Sequence, residues 1–149
     1  MSDKITIRKG SIEEAVSLSQ QVPEFFQPYS EKIYEERLRG KPHLILIAEI
    51  EGVAVGFKVG YQKDDQEIFY SWMGGVLATH RRKGIATLLA NEQETWAYLQ
   101  GYKKVQFKTR NYLTKMIHFG LNRGFMIKEL FKRDKIENYR ILMEKDLKP

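Results

Sequence analysis

The chain has 149 residues, of which 42% are hydrophobic, and it contains no cysteine. Its size fits one compact domain over residues 1–149, and the lack of cysteine excludes disulfides, a thiolate metal site and a cysteine nucleophile; we expect no metal. Lys and Arg exceed Asp and Glu by 25 to 19, which favours an anionic partner. Because the sequence shows no secretion signal and no apolar run of membrane-spanning length, we expect a cytoplasmic protein without membrane contact.

The first part of the chain predicts an alternation of short strands and helices. Ser11 and Glu14 have the spacing of a capping box, which favours the start of a helix. Glu51 and Gly52, between two apolar runs, are typical of a hairpin turn. The predicted elements are a strand at 5–7, helices at 11–18 and 29–38, and an antiparallel pair of strands at 44–48 and 53–61.

The second part predicts further strands and longer helices. Gly74 and Gly75 lie inside an apolar run, where glycines indicate either a β-bulge or a close backbone approach. Asn111 is a favoured residue type for a helix N-cap. The predicted elements are strands at 68–78, 105–108, 125–130 and 140–147 and helices at 84–99 and 111–123. The complete order predicts a mixed α/β fold, with four helices and a mostly antiparallel sheet of about seven strands.

Between the strand at 68–78 and the helix at 84–99 lies a segment with the chemistry of a phosphate site. Its residues are Arg81, Arg82, Lys83, Gly84, Ile85, Ala86 and Thr87. Backbone N–H groups in the first turn of a helix have no acceptor within the helix and lie at the positive end of its dipole. A pyrophosphate can accept several of these N–H groups, small residues let it approach, and basic residues add charge.

Residues 81–86, Arg-Arg-Lys-Gly-Ile-Ala, resemble the acetyl-CoA loop of the GNAT family, the Gcn5-related N-acetyltransferases, which reads Gln/Arg-x-x-Gly-x-Gly/Ala. The predicted order of elements also resembles that family over nearly the whole chain. The resemblance implies an acyl-CoA N-acyltransferase-like sheet, splayed between its fourth and fifth strands, in which pantetheine pairs with the backbone at Val76, Leu77 and Ala78. It implies an N-acetyltransferase that moves the acetyl group of acetyl-CoA to a primary amine by direct attack in a ternary complex.

A second resemblance covers residues 111–125, an Asn that opens a helix ending in Gly-Phe. It implies that Asn111 contacts the pantetheine amide region, although Asn111 also fits a plain helix cap. Many members of the family carry a tyrosine on this helix that protonates the leaving thiolate. Counting from Asn111 places His118 at that position, whereas counting back from the Gly-Phe pair places Gly120 there. We therefore predict His118 as the general acid, with a surface role as the alternative.

The amine must lose a proton before it attacks, and the resemblance implies a carboxylate on the strand before the loop as its base. Glu67 is the nearest carboxylate, and Tyr70 occupies a position where some relatives have glutamate. The alternatives are a surface turn for Glu67 and a core position for Tyr70. For the acceptor, a small-molecule or peptide amine, we expect an aromatic wall within 22–34. Its aromatic residues are Phe25, Phe26, Tyr29 and Tyr34.

Two other classes of function stay open at this point. An acetyl-CoA-binding protein of the same fold without catalysis is consistent with the missing tyrosine. A basic nucleic-acid-binding module is consistent with the positive charge and with aromatic residues among lysines, although those positions also suit ordinary strand and helix faces. The sequence leaves the acceptor, the acyl-chain preference and the oligomeric state open, with a homodimer as one alternative.

Overall fold

The structure, a computed structural model, describes residues 4–25 and 27–148. Its helices are α1 (Ile12–Ser19), α2 (Glu31–Leu38), α3 (Ile85–Leu99) and α4 (Thr114–Asn122). Its strands are β1 (Ile5–Lys9), β2 (His43–Ile50), β3 (Val53–Gln62), β4 (Ile68–Val76), β5 (Lys104–Arg110), β6 (Met126–Phe131) and β7 (Arg140–Asp146). Single turns of 3-10 helix occur at Ala78–His80 and Ile136–Asn138.

The strands form one sheet in the order β1-β2-β3-β4-β5-β7-β6. Every neighbouring pair is antiparallel except β4 and β5, which are parallel. A parallel pair needs a crossover connection, and α3 supplies it between these two strands. The expected mixed, mostly antiparallel sheet of seven strands with four helices is therefore confirmed.

Local sequence signals set two of the predicted boundaries. At the start of α1, the Glu14 N–H donates to Ser11 Oγ at 3.2 Å and the Ser11 N–H donates to Glu14 Oε1 at 3.0 Å, so the capping box forms. Between β2 and β3, Glu51 and Gly52 have φ angles of 51° and 80°. Two successive positive φ angles are what a tight hairpin turn between twisted strands requires.

Helices cover both faces of the sheet. Phe57 and Val59 on β3 pack with Leu18 of α1 and Leu38 of α2, whereas Phe69 on β4 packs in the same cluster as Leu89 of α3. We call these faces the α1–α2 face and the α3–α4 face, because α4 packs through Met116 and Ile117 against β5 and β7 on the side of α3. Among the described residues, no helix combines the length and the apolar character needed to cross a bilayer.

The buried face of α3 differs from the one that its largest apolar residues suggest. Leu88 is 39% exposed and Leu99 is 73% exposed, whereas Ala90, Gln93 and Ala97 are buried with Ile85 and Leu89. Glycines on β3 let the helix lie close to the sheet: a Cβ atom on Gly56 would lie 3.2 Å from Ile85 Cγ2, and one on Gly60 would lie 2.8 Å from Gln93 Nε2. The burial of Gln93, whose Nε2 has no hydrogen-bond partner among the described residues, is therefore a consequence of close packing.

Candidate functional site

The parallel contact between β4 and β5 is short and leads into a gap. Only residues 68–70 of β4 pair with residues 104–106 of β5. Beyond that contact, β4 pairs with β3 as far as Val76, and β5 pairs with β7 as far as Arg110. The splay expected between the fourth and fifth strands is therefore confirmed. We call this gap the β4–β5 opening; the strand edges that border it can pair with an extended ligand.

A β-bulge at Trp72 accounts for the divergence of β4 from β5. Val59 of β3 lies opposite Met73, whereas the next residue, Gly60, lies opposite Ser71, so Trp72 is an extra residue in β4. A bulge bends its strand and increases the local twist. The second half of β4 therefore turns away from β5 directly after the paired segment.

The glycine pair that follows the bulge serves close packing. A Cβ atom on Gly75 would lie 3.0 Å from Val22 Cγ2, and a Cβ atom on Gly74 would lie 3.2 Å from the carbonyl oxygen of Phe57. Of the two sequence interpretations of Gly74 and Gly75, close approach is confirmed, whereas the bulge lies at Trp72.

The start of α3 has the geometry of an anion site. Gly84 is the N-cap with a φ angle of 80°, and its lack of a side chain leaves the first turn without a side-chain cap. The N–H groups of Ile85, Ala86 and Thr87 have no acceptor within the helix and are available to a ligand. A Cβ atom on Gly84 would meet nothing within 4 Å, so the left-handed backbone, and not crowding, explains this glycine.

Arg81 is engaged within the protein. Its Nη1 donates to Glu24 Oε2 at 2.6 Å, and its Nε donates to the carbonyl oxygen of Val76 at 3.2 Å. The hydrogen bond from Arg81 lowers the pKa of Glu24 and raises the pKa of Arg81. Arg81 therefore joins the segment between α1 and α2 to the start of the loop, while Arg82 and Lys83 carry exposed side chains next to the α3 N-terminus.

Two of the backbone groups predicted to contact the cofactor at the end of β4 are hydrogen-bonded within the protein. The Leu77 N–H donates to the Val55 carbonyl oxygen at 2.9 Å, so this group is directed to β3 and is not available to a ligand. The Val76 carbonyl oxygen receives the Arg81 side chain instead. Ala78 is exposed in the turn of 3-10 helix that follows.

Glu67 lies at the closed end of the β4–β5 opening. Its carboxylate is 58% exposed and lies 3.3 Å from Lys103 Nζ. At about 3.3 Å per strand residue, Glu67 is roughly 20 Å from Met73, beyond the bulge. The structure places Glu67 next to the segment where β4 and β5 pair, and its role as a base stays a prediction.

Tyr70 is a buried residue of the α1–α2 face. It is 8% exposed, and its ring meets that of Tyr61 edge-on at 5.6 Å between centroids. Burial raises the pKa of Tyr70 to about 12, so its phenol is protonated at neutral pH. Such a group donates a hydrogen bond but does not take a proton from an amine, which favours the core alternative.

Asn111 does not cap α4, so the predicted N-cap is wrong. The helix begins at Thr114 after the N-cap Leu113, because a turn closed by the Leu113 N–H on the Arg110 carbonyl intervenes at 2.9 Å. The Asn111 side chain donates instead to the Ile136 carbonyl oxygen at 3.1 Å. It ties the end of β5 to the connection between β6 and β7, and its predicted pantetheine contact stays a prediction.

The two candidate positions for an acid on α4 have opposite surroundings. Gly120 is buried against the sheet, where a Cβ atom would lie 2.7 Å from Phe107 Cζ, so no tyrosine fits there without rearrangement. His118 is exposed, whereas Met116 and Ile117 pack against the core. The catalytic role of His118 stays a prediction.

Tyr29 and Tyr34, two of the aromatic residues predicted to form an acceptor wall, contact Trp72, which the sequence interpretation missed; Tyr29 is exposed and Tyr34 is fully buried, so Tyr34 is a core residue and the wall stays a prediction. Tyr29 stacks on Trp72 at 5.6 Å between centroids and Tyr34 lies against it at 4.8 Å. Phe25 instead packs edge-on against Phe57 at 6.4 Å. Phe26 lies outside the described residues. A tryptophan two residues before a glycine pair, inside a predicted strand, was the signal that could have indicated it.

Lys58 on β3 is a second residue that the sequence interpretation missed. It pairs with Gly74, and its Cγ lies 3.5 Å from the position of a Cβ on that glycine, so its side chain lies over the residue that borders the β4–β5 opening. Burial lowers the pKa of Lys58 to about 8; Glu94 on α3 opposes this effect and Arg123, after α4, adds to it. The signal in the sequence was a lysine between Gly56 and Gly60, on the face of β3 opposite to Phe57 and Val59.

A bulged parallel opening that adjoins an uncapped helix N-terminus defines the class of acyl-CoA-binding acyltransferase folds. The sequence model of the Acetyltransferase (GNAT) family matches residues 12–125. The chain belongs to the GNAT family of acetyltransferases. No curated protein sequence matches the chain significantly.

Solved structures share this fold at low sequence identity. Ard1 from Thermoplasma volcanium has a TM-score of 0.83 at 18% identity, over 97% of this chain and 99% of that one. A ribosomal-protein alanine N-acetyltransferase from Escherichia coli has a TM-score of 0.82 at 15% identity, over 97% and 94% of the chains. A GNAT acetyltransferase from Elizabethkingia anophelis with acetyl-CoA bound has a TM-score of 0.79 at 20% identity, over 98% and 100%.

Proposed function

We propose that the chain acetylates an amine by direct attack on the thioester of acetyl-CoA, without an acyl-enzyme. The observation that carries the proposal is the β4–β5 opening, which adjoins the uncapped start of α3 and the aromatic residues around Trp72. The absence of cysteine from the sequence agrees with a reaction that needs no protein nucleophile. The neighbours that act on amines of proteins make an α-amine of a peptide one candidate acceptor.

The residues present fit the charge and shape of acetyl-CoA. The free N–H groups of Ile85, Ala86 and Thr87, with the exposed Arg82, suit its pyrophosphate. The edges of β4 and β5 suit the amide groups of its pantetheine arm. When bound, acetyl-CoA supplies a thioester at which a C–N bond forms and the C–S bond breaks, the amine losing one proton and the sulfur taking one.

Two groups of the chain meet the demands of this chemistry. Backbone N–H groups on the β4 edge can donate to an oxygen that gains negative charge. Lys58, beside Gly74, holds a proton at neutral pH, and its pKa of about 8 is close to the thiol value of about 8.5. Lys58 therefore supplies the proton that the sulfur takes up, in place of the missing tyrosine.

Thermal stabilisation is the first test. Acetyl-CoA and free CoA at millimolar concentration should both raise the melting temperature, because a ligand far above its dissociation constant stabilises the folded state. An amine panel with detection of released thiol then tests transfer. Absence of any stabilisation by acetyl-CoA would overturn the proposal.

A catalytically inactive acetyl-CoA-binding protein is the second candidate. The missing family tyrosine favours it, and so do the exposed position of His118 and the pairing of the exposed Glu67 carboxylate with Lys103. Stabilisation by acetyl-CoA without thiol release from any amine would support this candidate.

We also propose that the protein is cytoplasmic, and a homodimer stays a prediction for its oligomeric state. The lack of cysteine suits a reducing compartment. Cell fractionation tests the location, and light scattering at several protein concentrations tests the homodimer. If the protein does not bind single-stranded nucleic acid even at low salt, the nucleic-acid alternative is excluded.

A further inference from the structure

A cavity of about 250 Å³ lies on the α1–α2 face at the closed end of the β4–β5 opening. Its walls include Tyr70 of β4, Lys108 of β5, Phe131 of β6 and Lys63, which follows β3. The cavity therefore adjoins the aromatic residues around Trp72, on the face opposite to α3. An amine that approaches the opening from this side passes these residues.

Four basic side chains on this face lie over aromatic rings. They are Arg37 over Trp72 at 4.7 Å, Lys63 over Tyr70 at 4.9 Å, Lys108 over Phe131 at 4.9 Å and Lys41 over Tyr61 at 5.1 Å, each measured from the cation to the ring centroid. A ring face attracts a cation but does not neutralise its charge. The four cations therefore keep their charge available to an anion.

Carboxylates do not balance this charge. Within residues 4–25 and 27–148, none of the four cations forms a salt bridge with a carboxylate. The acids on the cavity rim are Asp64 and Asp65, and Asp65 Oδ1 accepts the Glu67 N–H at 2.8 Å within its own turn. Asp64 acts on Lys63 only at longer range.

The repulsion between these cations is visible at Lys63. Burial lowers its pKa, and the charges of Lys108, Arg37 and Lys41 lower it further, while Asp64 opposes them. A ligand anion would relieve this repulsion. The same face holds a second concentration of positive charge, where burial and then Arg110 and Arg133 lower the pKa of Arg140.

We propose that the acceptor is an anionic amine, with a carboxylate or phosphate that Lys63 and Lys108 bind while the amine reaches the β4–β5 opening. The inference rests on the proposed acetyl transfer and names the substrate class of that site. Arg37, held over Trp72, adds attraction for the same anion at the rim. The aromatic residues contact the carbon chain between the two ends of the acceptor.

The test uses matched pairs of acceptors at one salt concentration. One pair is β-alanine and β-alaninamide, which differ in the carboxylate, and the other is phosphoethanolamine and ethanolamine, which differ in the phosphate. The anionic member of at least one pair should be acetylated with a higher kcat/KM by about tenfold or more. The pair that shows the preference identifies the anion.

Lys63→Met and Lys108→Met should each lower kcat/KM for the anionic amines about tenfold more than kcat/KM for the neutral amines. Lys9→Met, at an exposed lysine of β1 on the edge of the sheet away from the cavity, is the matched control. A readout independent of turnover is calorimetric binding of N-acetyl-β-alanine or N-acetylphosphoethanolamine to the protein with CoA, which should weaken in the two cavity variants.

The outcomes separate the inference from the proposed function. Acetylation of neutral and anionic amines at equal kcat/KM overturns the inference and leaves acetyl transfer intact. Loss of stabilisation by acetyl-CoA overturns both. Tight, salt-dependent binding of single-stranded oligonucleotide that both cavity variants abolish, with no preference among the amines, would assign these cations to nucleic acid instead.

Discussion

On the α3–α4 face, Glu94 lies between two cations, 2.7 Å from Arg123 and 2.6 Å from Lys145. On the α1–α2 face, cations lie over aromatic rings, and among the described residues Lys63 and Lys108 have no carboxylate partner in a salt bridge. The first arrangement balances its charge internally and joins α3, the end of α4 and β7. The second leaves positive charge for a ligand. We infer that the charges around Glu94 hold the fold together, whereas Lys63 and Lys108 serve the proposed recognition of the acceptor.

Removing Glu94 should give the largest effect. Glu94→Gln keeps the shape but leaves Arg123 and Lys145 unbalanced where Glu94 and Arg123 are 14% and 13% exposed. Because a cation left without its partner in such a place is costly, we expect a loss of about 3 kcal/mol in the free energy of unfolding, measured by denaturant titration. Glu36→Gln, at an exposed pair 4.0 Å long, should change stability by less than about 0.5 kcal/mol. Equal losses would show that Glu94 contributes no more to stability than a carboxylate in an exposed ion pair.

Lys58 tests whether all charge on the α3–α4 face is structural. Its pKa is about 8 in the folded protein, against an ordinary value of 10.5, so the folded state binds fewer protons than the unfolded state between these pH values. The buried ammonium group of Lys58 therefore destabilises the folded state fully below pH 8, and this destabilisation disappears as the pH rises to 10.5. Lys58→Met should raise stability at pH 7 by on the order of 3 kcal/mol and slow turnover.

The same pH series distinguishes this lysine from an ordinary one. The gain in the free energy of unfolding caused by Lys58→Met should shrink between pH 8 and 10.5. Chemical denaturation at each pH measures this change. Lys103→Met, whose lysine is 74% exposed, should show no gain at any pH. A destabilised Lys58→Met with unchanged turnover would make Lys58 a packing residue.

Gly84 and Gly40 form a matched pair for the anion site. Both have left-handed backbones, with φ angles of 80° and 70°, and a Cβ on either meets nothing within 4 Å. An alanine at either position should therefore cost about 1 kcal/mol of stability. Only Gly84→Ala should weaken acetyl-CoA binding, by about tenfold, since only that backbone orients the first amides of α3. Equal binding by both variants would remove the α3 N-terminus from the site.

Glu24 should give the smallest effect. The ion pair with Arg81 is 48% and 39% exposed, so Glu24→Gln should cost less than about 1 kcal/mol. Because Arg81 lowers the pKa of Glu24, this contribution is present at neutral pH and is lost as the pH falls through that lowered pKa. Release of Arg81 should improve acetyl-CoA binding by a few-fold, measured by calorimetry. Weaker binding would show that Glu24 holds Arg81 in its binding position.

The features that the sequence could predict are those that depend on only a few neighbouring residues. The capping box of Ser11 and Glu14, the hairpin at Glu51 and Gly52, and the glycine at the start of α3 each need only the local chain. The resemblance to the GNAT family then supplied the splay, which no local pattern contains.

What the sequence could not predict depends on contacts between distant segments. The bulge at Trp72 is a matter of register with β3, which only strand pairing decides. The partner of Arg81 is 57 residues away in the chain. The altered pKa of Lys58 arises from burial between β3, α3 and the end of α4. The candidate catalytic residues fall in this group, because proton transfer depends on such distant surroundings.

The extra residue in β4 constrains how the gene for this protein can change. Trp72 has no partner across from it on β3, so deletion of one residue here would bring Ser71 and Met73 into regular pairing and remove the bend. A substitution at Trp72 changes the aromatic contacts of Tyr29 and Tyr34 but keeps the number of residues in β4. The number of residues in β4 therefore matters more for the β4–β5 opening than the identity of residue 72, and deletion of one residue within 71–73 should keep the sheet while weakening the binding of acetyl-CoA.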